Sequence, residues 1–261
     1  MITSTHNSKI QSIRKLQAQS RARREEQLLV AEGVRLCEEA LAAGWPAQMV
    51  IYTADLSERG AALLEGFAAQ GAAIEQVSAQ VMRSASDTQT PQGILAVLPQ
   101  RSLPLPQPLE LAFIPDGVRD PGNLGTMLRT AEAASVGAVF LPPGMVDVFA
   151  PKVVRSAMGA HFRLPIYALS WEDIEHQIHA AGLRVIVAAV GAGTDYTQAD
   201  LRSPLALVIG SEAEGVGQKA RLLADEQVQI PMPGRAESLN AAVAAGILLF
   251  ESIRQRKQPP Q

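Results

Sequence analysis

The second half of the chain alternates short apolar runs with amphipathic segments. Four runs have the length and composition of buried strands, at residues 111–114, 138–141, 184–190 and 205–210. Nearly continuous apolar runs are typical of a parallel sheet that is covered by helices on both faces. Such sheets bind ligands at the carboxyl ends of their strands. The pattern therefore predicts an α/β domain with its functional site at that edge.

The first half of the chain predicts a smaller α/β sandwich. Apolar runs at residues 28–31, 49–52, 73–77 and 94–98 predict strands, and residues 34–43 and 58–69 predict amphipathic helices. Gly44 and Gly71 follow these helices, where C-terminal glycines are common. Four prolines between residues 99 and 108 favour an extended linker. The predicted organisation is a domain at 1–98, a linker at 99–109 and a second domain at 110–261.

The composition is that of a packed globular protein, since 47% of the residues are hydrophobic and 19% are charged. Disordered and collagen-like chains are thereby excluded. The longest apolar run, at residues 241–250, is much shorter than the roughly 20 residues that a membrane span needs, and nothing near Met1 resembles a signal peptide. We therefore expect a cytoplasmic protein without a membrane segment. Cys37 is the single cysteine, which excludes an internal disulfide, and His176 and His179 lack further ligands at metal-binding spacing, so we expect no metal site.

Positive charge is concentrated at the start of the chain, although the net charge is −3. The first 24 residues contain six cations and no acidic residue. The six are Lys9, Arg14, Lys15, Arg21, Arg23 and Arg24. Local positive charge is what binds nucleic-acid phosphates. A solvated basic helix and a phosphate-binding surface are both compatible with this pattern, and charge alone favours the first.

A first candidate segment follows the strand at 111–114. Asp120 and Pro121 together predict the start of a helix, because aspartate caps and proline tolerates the first turn. At helical spacing, Leu128 lies on the apolar stripe and Arg129 points away from the core. Arg129 is therefore either a solvated side chain paired with Glu132 or a functional cation.

A second candidate segment ends the strand at 205–210. The spacing Gly210-x-Glu212-x-x-Gly215 places a carboxylate and exposed backbone amides in one tight turn. Val216 stands where a P-loop requires lysine. No nucleophile elbow and no dinucleotide-binding fingerprint occur, which argues against a nucleotide-dependent oxidoreductase. An ordinary loop with Glu212 at a helix N-terminus is the alternative to a functional site.

A third candidate segment covers residues 230–251. Two prolines and a glycine predict an irregular loop, after which Ser238 is a plausible cap for a long helix. That helix is apolar nearly all round from Leu239 to Phe250, so we expect it to be buried against the sheet or another subunit. Asn240 enters this helix and needs polar partners, either to anchor the loop or to contact a ligand.

The three segments, taken in order, resemble the SpoU (TrmH-like) family of RNA ribose 2′-O-methyltransferases. The resemblance covers about residues 110–255 and rests on three motifs. These are Asn123-x-Gly125-x-x-x-Arg129, Gly210-x-Glu212-x-x-Gly215, and Ile230-Pro-Met232-x-Gly234 with Ser238-Leu239-Asn240. Residues 1–98 resemble, more loosely, the L30e-like substrate-binding domain that many members carry, through Ile2-Thr-Ser-x-x-Asn7 and Val30-Ala-Glu-Gly33.

The resemblance implies a homodimeric enzyme that uses S-adenosylmethionine and has a trefoil knot at the C-terminal end of its catalytic domain. By matching position, Gly210, Ile230, Met232 and Leu239 would contact the cofactor. The substrate would be RNA, with ribosomal RNA favoured over transfer RNA and with the six N-terminal cations binding its backbone. A transfer RNA enzyme and a non-catalytic RNA-binding protein that keeps the scaffold are the alternatives.

The resemblance also assigns roles to the polar motif residues. Arg129 would bind phosphate and stabilise the developing alkoxide, because a guanidinium is a poor base near neutral pH. Whether Arg129 or water removes the ribose proton stays open. Asn123 would steer Arg129 or the ribose, and Glu212 would orient the loops. Ser238 and Asn240 would complete the pocket.

Overall fold

The computed structural model describes residues 1–191, 194–202 and 204–257. The chain divides into two compact units. Unit 1 comprises Met1–Arg101 and Asp147–Phe162, and unit 2 comprises Ser102–Val146 and Arg163–Gln261. The prediction from sequence places residues 147–162 in the second domain, whereas in the structure this segment packs with unit 1.

Helices and strands are interspersed along the whole chain. The N-terminal part contains α1 (Ser8–Ala18), α2 (Ser20–Glu26), β1 (Leu28–Glu32), α3 (Val34–Ala42), β2 (Met49–Tyr52), α4 (Glu58–Ala69), β3 (Ala73–Gln76), α5 (Ala79–Ala85) and β4 (Ile94–Pro99). The remainder contains β5 (Leu111–Pro115), α6 (Pro121–Ala133), β6 (Ala138–Leu141), α7 (Pro151–Ser156), a 3-10 turn (Ala160–Phe162), β7 (Ile166–Ala168), α8 (Trp171–Ala181), β8 (Arg184–Ala188), β9 (Thr194–Asp195), β10 (Leu205–Ile209), α9 (Gln218–Leu223), β11 (Glu226–Gln229) and α10 (Ala241–Arg256).

Unit 1 is built on a mixed sheet with the strand order β1-β4-β2-β3. The strand β4 is antiparallel to β1 and β2, and β3 is parallel to β2. Apolar side chains of α1 and α5, including Ile10, Ile13 and Met82, are fully buried against this sheet. All four strands predicted in this half are present, and the predicted small α/β sandwich is confirmed.

The segment Asp147–Phe162 is held in unit 1 by polar contacts as well as packing. Arg155 of α7 donates from Nη2 to Asp87 over 2.7 Å. His161 is buried, with Nε2 lying 2.8 Å from the carbonyl oxygen of Val148. Burial lowers the pKa of His161 to about 4, which keeps the ring neutral near pH 7.

Unit 2 is built on a seven-stranded sheet with the order β7-β6-β5-β10-β8-β11-β9, and every strand pair is parallel. Alternate residues of β5 and β10 pack with α8 and α9 in one apolar cluster. The intervening residues are also buried, and α6 and α10 contact these two strands. Because neighbouring parallel strands end at the same edge, the loops after β5, β10, β8 and β11 meet there.

The last helix begins later than the sequence predicts. Its N-cap is Asn240, whose side chain accepts hydrogen bonds from the first-turn amides, so the prediction of Ser238 as the cap is wrong. Half of the apolar side chains of α10 are buried, whereas Val243 and Phe250 are 51% and 50% exposed. Within the described ranges, no helix has the length and apolar character needed to cross a bilayer.

Candidate functional site

One polar network joins residues from all three sequence motifs of unit 2. The Glu212 carboxylate oxygen Oε1 accepts hydrogen bonds from Asn123 Nδ2 at 2.9 Å and from Asn240 Nδ2 at 2.5 Å. Asn240 Nδ2 also donates to Asn123 Oδ1 over 3.0 Å. Side chains that lie 89 and 28 residues apart in sequence from Glu212 therefore meet at one carboxylate.

The network is fixed by two helix N-termini. Asp120 caps α6 by accepting from the amide of Asn123 over 2.8 Å. At the start of α10, Glu212 Oε1 also accepts from the amide of Ala241 at 3.1 Å. Because a helix N-terminus presents free N–H groups and partial positive charge, that of α10 stabilises the Glu212 carboxylate. This explains how the loop after β10 is held against α6 and α10.

The loop after β10 requires glycine at two positions. A Cβ on Gly210 would lie 2.1 Å from the backbone carbon of Gly215, a distance that no packing adjustment can accommodate. Gly215 itself has a φ of 65°, in the left-handed region. Ser211 and Gly215 exchange backbone hydrogen bonds, which closes the turn. The glycine spacing is therefore imposed by the close approach of two backbone segments.

A cavity of about 780 Å³ in unit 2, here named the large cavity, opens beside this loop. The residues expected to contact a cofactor all line it, namely Gly210, Ile230, Met232 and Leu239. Glu212 and Ser238 also line it. Its volume falls within the roughly 300–1,000 Å³ of typical small-molecule sites. The structure thus brings the cofactor-binding candidates together around one space.

A smaller cavity of about 180 Å³ shares part of the same wall. Asn123, Asp120 and Arg119 line it, and Glu212 lines both cavities. The polar network therefore faces two adjoining spaces, one large enough for a cofactor and one much smaller.

Arg129 lies outside both cavity linings. Its side chain is exposed, as its helical position predicts. Among the described residues it has no hydrogen-bond or ion-pair partner, and Glu132 pairs instead with Arg163. The described Asn123 amide contacts are to Glu212 and Asn240, and the expected role of Asn123 toward Arg129 or the ribose stays a prediction.

The six N-terminal cations have different environments. Lys9, Arg14, Lys15, Arg21 and Arg24 are exposed. Arg23 is buried, and it donates from Nε and Nη2 to Asp147 at 2.9 and 2.7 Å and from Nη1 to the carbonyl oxygens of Leu16 and Gln17. The assignment of Arg23 to phosphate binding is corrected on this ground, because its guanidinium is already enclosed and bonded.

Several residues around these sites were not singled out from the sequence. Asp116 accepts a hydrogen bond from the amide of Gly217 over 2.6 Å and thereby holds the far end of the β10 loop. Asp116 lies two residues after the predicted strand at 111–114, and this position could have indicated it as a site residue. Arg221 of α9 lines the large cavity. The sequence pattern does not indicate this residue, because it does not predict its helix.

Unit 1 contains a separate cavity of about 820 Å³. Its lining includes Arg35, Arg59 and Arg83. Arg59 pairs with Glu38, and this hydrogen bond lowers the pKa of the carboxyl group. The three arginines are far apart in sequence, so charge runs along the chain could not reveal them.

The described part of the chain contains no group of three or more His, Cys, Asp or Glu side chains arranged to hold a metal ion. His176 and His179 are exposed on α8.

Two family models match the chain. The model of the SpoU rRNA Methylase family matches residues 110–250, and that of the MRM3-like substrate binding domain matches residues 7–96. The first contains the network and the large cavity. The second contains the exposed basic residues of α1 and α2.

Individual proteins match over nearly the full length. An uncharacterized tRNA/rRNA methyltransferase of Synechocystis is 34% identical, covering 98% of this chain and 94% of that protein. The 23S rRNA (guanosine(2553)-2′-O)-methyltransferase RlmP of Bacillus subtilis is 34% identical, with 95% and 97% covered. The crystal structure of an AdoMet-bound rRNA methyltransferase from Sinorhizobium meliloti has a TM-score of 0.88 at 34% identity and covers 97% of each chain.

Proposed function

Because the chain belongs to the SpoU rRNA methylase family, we propose that it transfers a methyl group from S-adenosylmethionine to a ribose 2′-hydroxyl of ribosomal RNA. The observation that carries the proposal is the convergence of all three motifs on one network beside the large cavity. The RlmP relative, by its name, methylates a ribose of 23S rRNA, which supports the same reaction class here.

The large cavity fits S-adenosylmethionine in size and in chemistry. Ile230, Met232 and Leu239 offer apolar side chains to the cavity, and Gly210 lies in its wall. When bound, the cofactor supplies a methyl group that its sulfonium already activates. The loops at 210–217 and 230–239 would form the trefoil knot that the family resemblance implies, and the knot stays a prediction.

The protein's own contribution is to position and stabilise charge. A ribose hydroxyl is a poor nucleophile near neutral pH, so its alignment with the methyl group and the stabilisation of its developing negative charge lower the barrier. Arg129 is an exposed cation without an ion-pair partner in the described structure. Its guanidinium would bind an RNA phosphate and stabilise the developing alkoxide. Glu212, Asn123 and Asn240 hold the loop geometry, and Ser238 adds a hydroxyl to the cavity wall.

We further propose that the enzyme works as a homodimer. Val243 and Phe250 lie seven residues apart on α10 and both expose apolar surface, so they share one helix face. Arg129 lies on α6, the helix that contacts α10, and outside both cavities of its own chain. A second copy packed on this face would cover the apolar residues and bring Arg129 close to a partner's cavity.

Sedimentation velocity tests the dimer. The wild type should sediment as twice 27.8 kDa, and the double variant Val243→Asp/Phe250→Asp should sediment as a monomer. Leu222→Asp is the matched control, because Leu222 is also an exposed apolar residue but lies on α9. A wild type that is folded and monomeric at micromolar concentration contradicts the proposal.

We propose that the exposed cations of unit 1 bind RNA. Arg14, Lys15 and Arg24 are exposed and form no ion pair within the described ranges. Arg35 and Arg83 add positive charge at the unit 1 cavity. Such cations bind phosphates through the release of condensed counterions.

Mapping of ribose methylation in total RNA tests the reaction. RNA from cells with and without this protein should differ at a ribose of ribosomal RNA, and reintroduced wild type should restore the modification. A change confined to transfer RNA would make that RNA the substrate instead. An unchanged map, with RNA binding intact, would mean a non-catalytic RNA-binding protein.

A further inference from the structure

Arg221 is the single cationic side chain among the described residues that line the large cavity. The acidic side chains of the lining are Glu212, Glu214 and Glu237. A ligand carboxylate that enters this space is repelled by the acidic groups and attracted by the guanidinium. The charge of the lining therefore favours the surroundings of Arg221 for an anionic group.

The guanidinium of Arg221 is held in place but keeps free donors. Its Nε donates to the carbonyl oxygen of Val216 over 3.1 Å, and Val216 is buried. No ion pair to Arg221 occurs in the parts of the chain that the structure describes. The two Nη groups thus remain available, and their fork matches the two oxygens of a carboxylate.

Arg221 also lies beside the glycine loop after β10. Its Nη2 is 3.9 Å from the position that a Cβ on Gly215 would take. The absence of a side chain at Gly215 leaves space next to the guanidinium. Because the Val216 contact already restricts the side chain, less conformational freedom is lost when Arg221 binds a ligand.

We propose that Arg221 binds the carboxylate of the methionine moiety of S-adenosylmethionine. The proposal rests on the use of this cofactor and deepens the proposed function by assigning one end of the ligand to one residue. S-adenosylmethionine carries its carboxylate at the end opposite to the adenine ring. Arg221 therefore sets the direction in which the cofactor lies in the cavity and acts as a positioning residue.

Calorimetry with two ligands and no RNA tests this assignment. S-adenosylmethionine has the carboxylate, whereas decarboxylated S-adenosylmethionine keeps the sulfonium, the ammonium and the adenosine but lacks it. Arg221→Gln should weaken binding of S-adenosylmethionine by about 10-fold, the scale for loss of a hydrogen bond to a charged group. Binding of the decarboxylated ligand should change less than about twofold, and Arg221→Lys should restore part of the affinity for the full cofactor.

Lys219→Gln is the matched control, since Lys219 lies on the same helix and outside the cavity lining. This variant should bind both ligands as the wild type does. The proposal is overturned if Arg221→Gln binds S-adenosylmethionine with unchanged affinity, or if it weakens both ligands equally. A wild type that binds the cofactor but methylates no ribosomal RNA would contradict the proposed function and leave this assignment standing.

Discussion

Unit 1 and unit 2 each contain an arginine that the sequence marks as a candidate, and the two have opposite environments. Arg23 of unit 1 is buried, ion-paired with Asp147 and bonded to two carbonyl oxygens. Arg129 of unit 2 is exposed and unpaired within the described structure. In unit 1, the guanidinium of Arg23 stabilises the fold. In unit 2, Arg129 makes no such contact, and the network of Asn123, Glu212 and Asn240 holds the loop after β10 instead. The same residue type therefore serves structure in one unit and, we propose, chemistry in the other.

Removal of Arg23 gives the largest expected effect on stability. Arg23→Ala leaves the largely buried Asp147 without its partner, which costs about 3–5 kcal/mol of unfolding free energy. Chemical denaturation measures this loss. Arg24→Ala is the matched control and should change the unfolding free energy by less than about 0.5 kcal/mol, because Arg24 is exposed. Equal stability of the two variants would remove the distinction between the units.

Removal of Arg129 should affect the rate and leave the fold intact. Arg129→Ala should lower the single-turnover methylation rate at saturating RNA by about 100-fold or more, the scale for one charge-stabilising group. Cofactor affinity by calorimetry should stay unchanged, since Arg129 does not line the cavity. Arg202→Ala, which removes an exposed cation paired with Asp200, should leave the rate unaltered. A parental rate for Arg129→Ala would exclude the residue from the chemistry.

A pair of glycine variants tests the backbone geometry of unit 2. Gly210→Ala forces a methyl group into the backbone of Gly215 and should cost about 1–3 kcal/mol of stability, as overpacked sites do. Cofactor affinity should fall with it. Gly234→Ala lies in the other cavity loop and meets no atom within 4 Å, so it should change neither quantity. If both variants melt at the wild-type temperature, the close approach at Gly210 is not a constraint.

The smallest expected effect concerns the exposed cations of unit 1. Replacing Arg14, Lys15 and Arg24 together by Gln should flatten the log–log salt dependence of RNA binding by about 2–3 units, since each phosphate contact contributes roughly 0.7–0.9. The matched control replaces Arg163, Arg202 and Lys219, which are paired with carboxylates in unit 2. Identical salt slopes for both variants would mean that unit 1 does not provide the phosphate contacts.

Hydrophobic pattern predicted the four strands of unit 1 and the four most buried strands of unit 2, because buried strands leave continuous apolar runs. It missed β7, β9, β11 and the helix α9, which are short and partly exposed. The segment Asp147–Phe162 shows the other limit of pattern. Its packing with unit 1 depends on distant partners such as Arg23, and no local periodicity contains that information.

The order of the three motifs was enough to predict which residues surround the candidate site. Gly210, Ile230, Met232 and Leu239 line one cavity. The sequence could not predict that Asn240, and not Ser238, caps the last helix. Both residues are good caps, and the choice between them depends on the bond that Asn240 makes to Glu212, which lies 28 residues away. Likewise, charge counting could not separate Arg23 from Arg24, because burial is decided by tertiary packing.

The central claim is the transfer of a methyl group to a ribose 2′-hydroxyl, and alkaline hydrolysis of labelled RNA tests it most directly. Purified protein is incubated with unmodified ribosomal RNA and S-adenosylmethionine labelled in the methyl group, and the RNA is then hydrolysed with alkali. A 2′-O-methyl group blocks cleavage of the adjoining phosphodiester, so the label should appear in an alkali-resistant dinucleotide, and it should be lost with Arg129→Ala. Label recovered in mononucleotides would mean methylation of a base and would contradict the account.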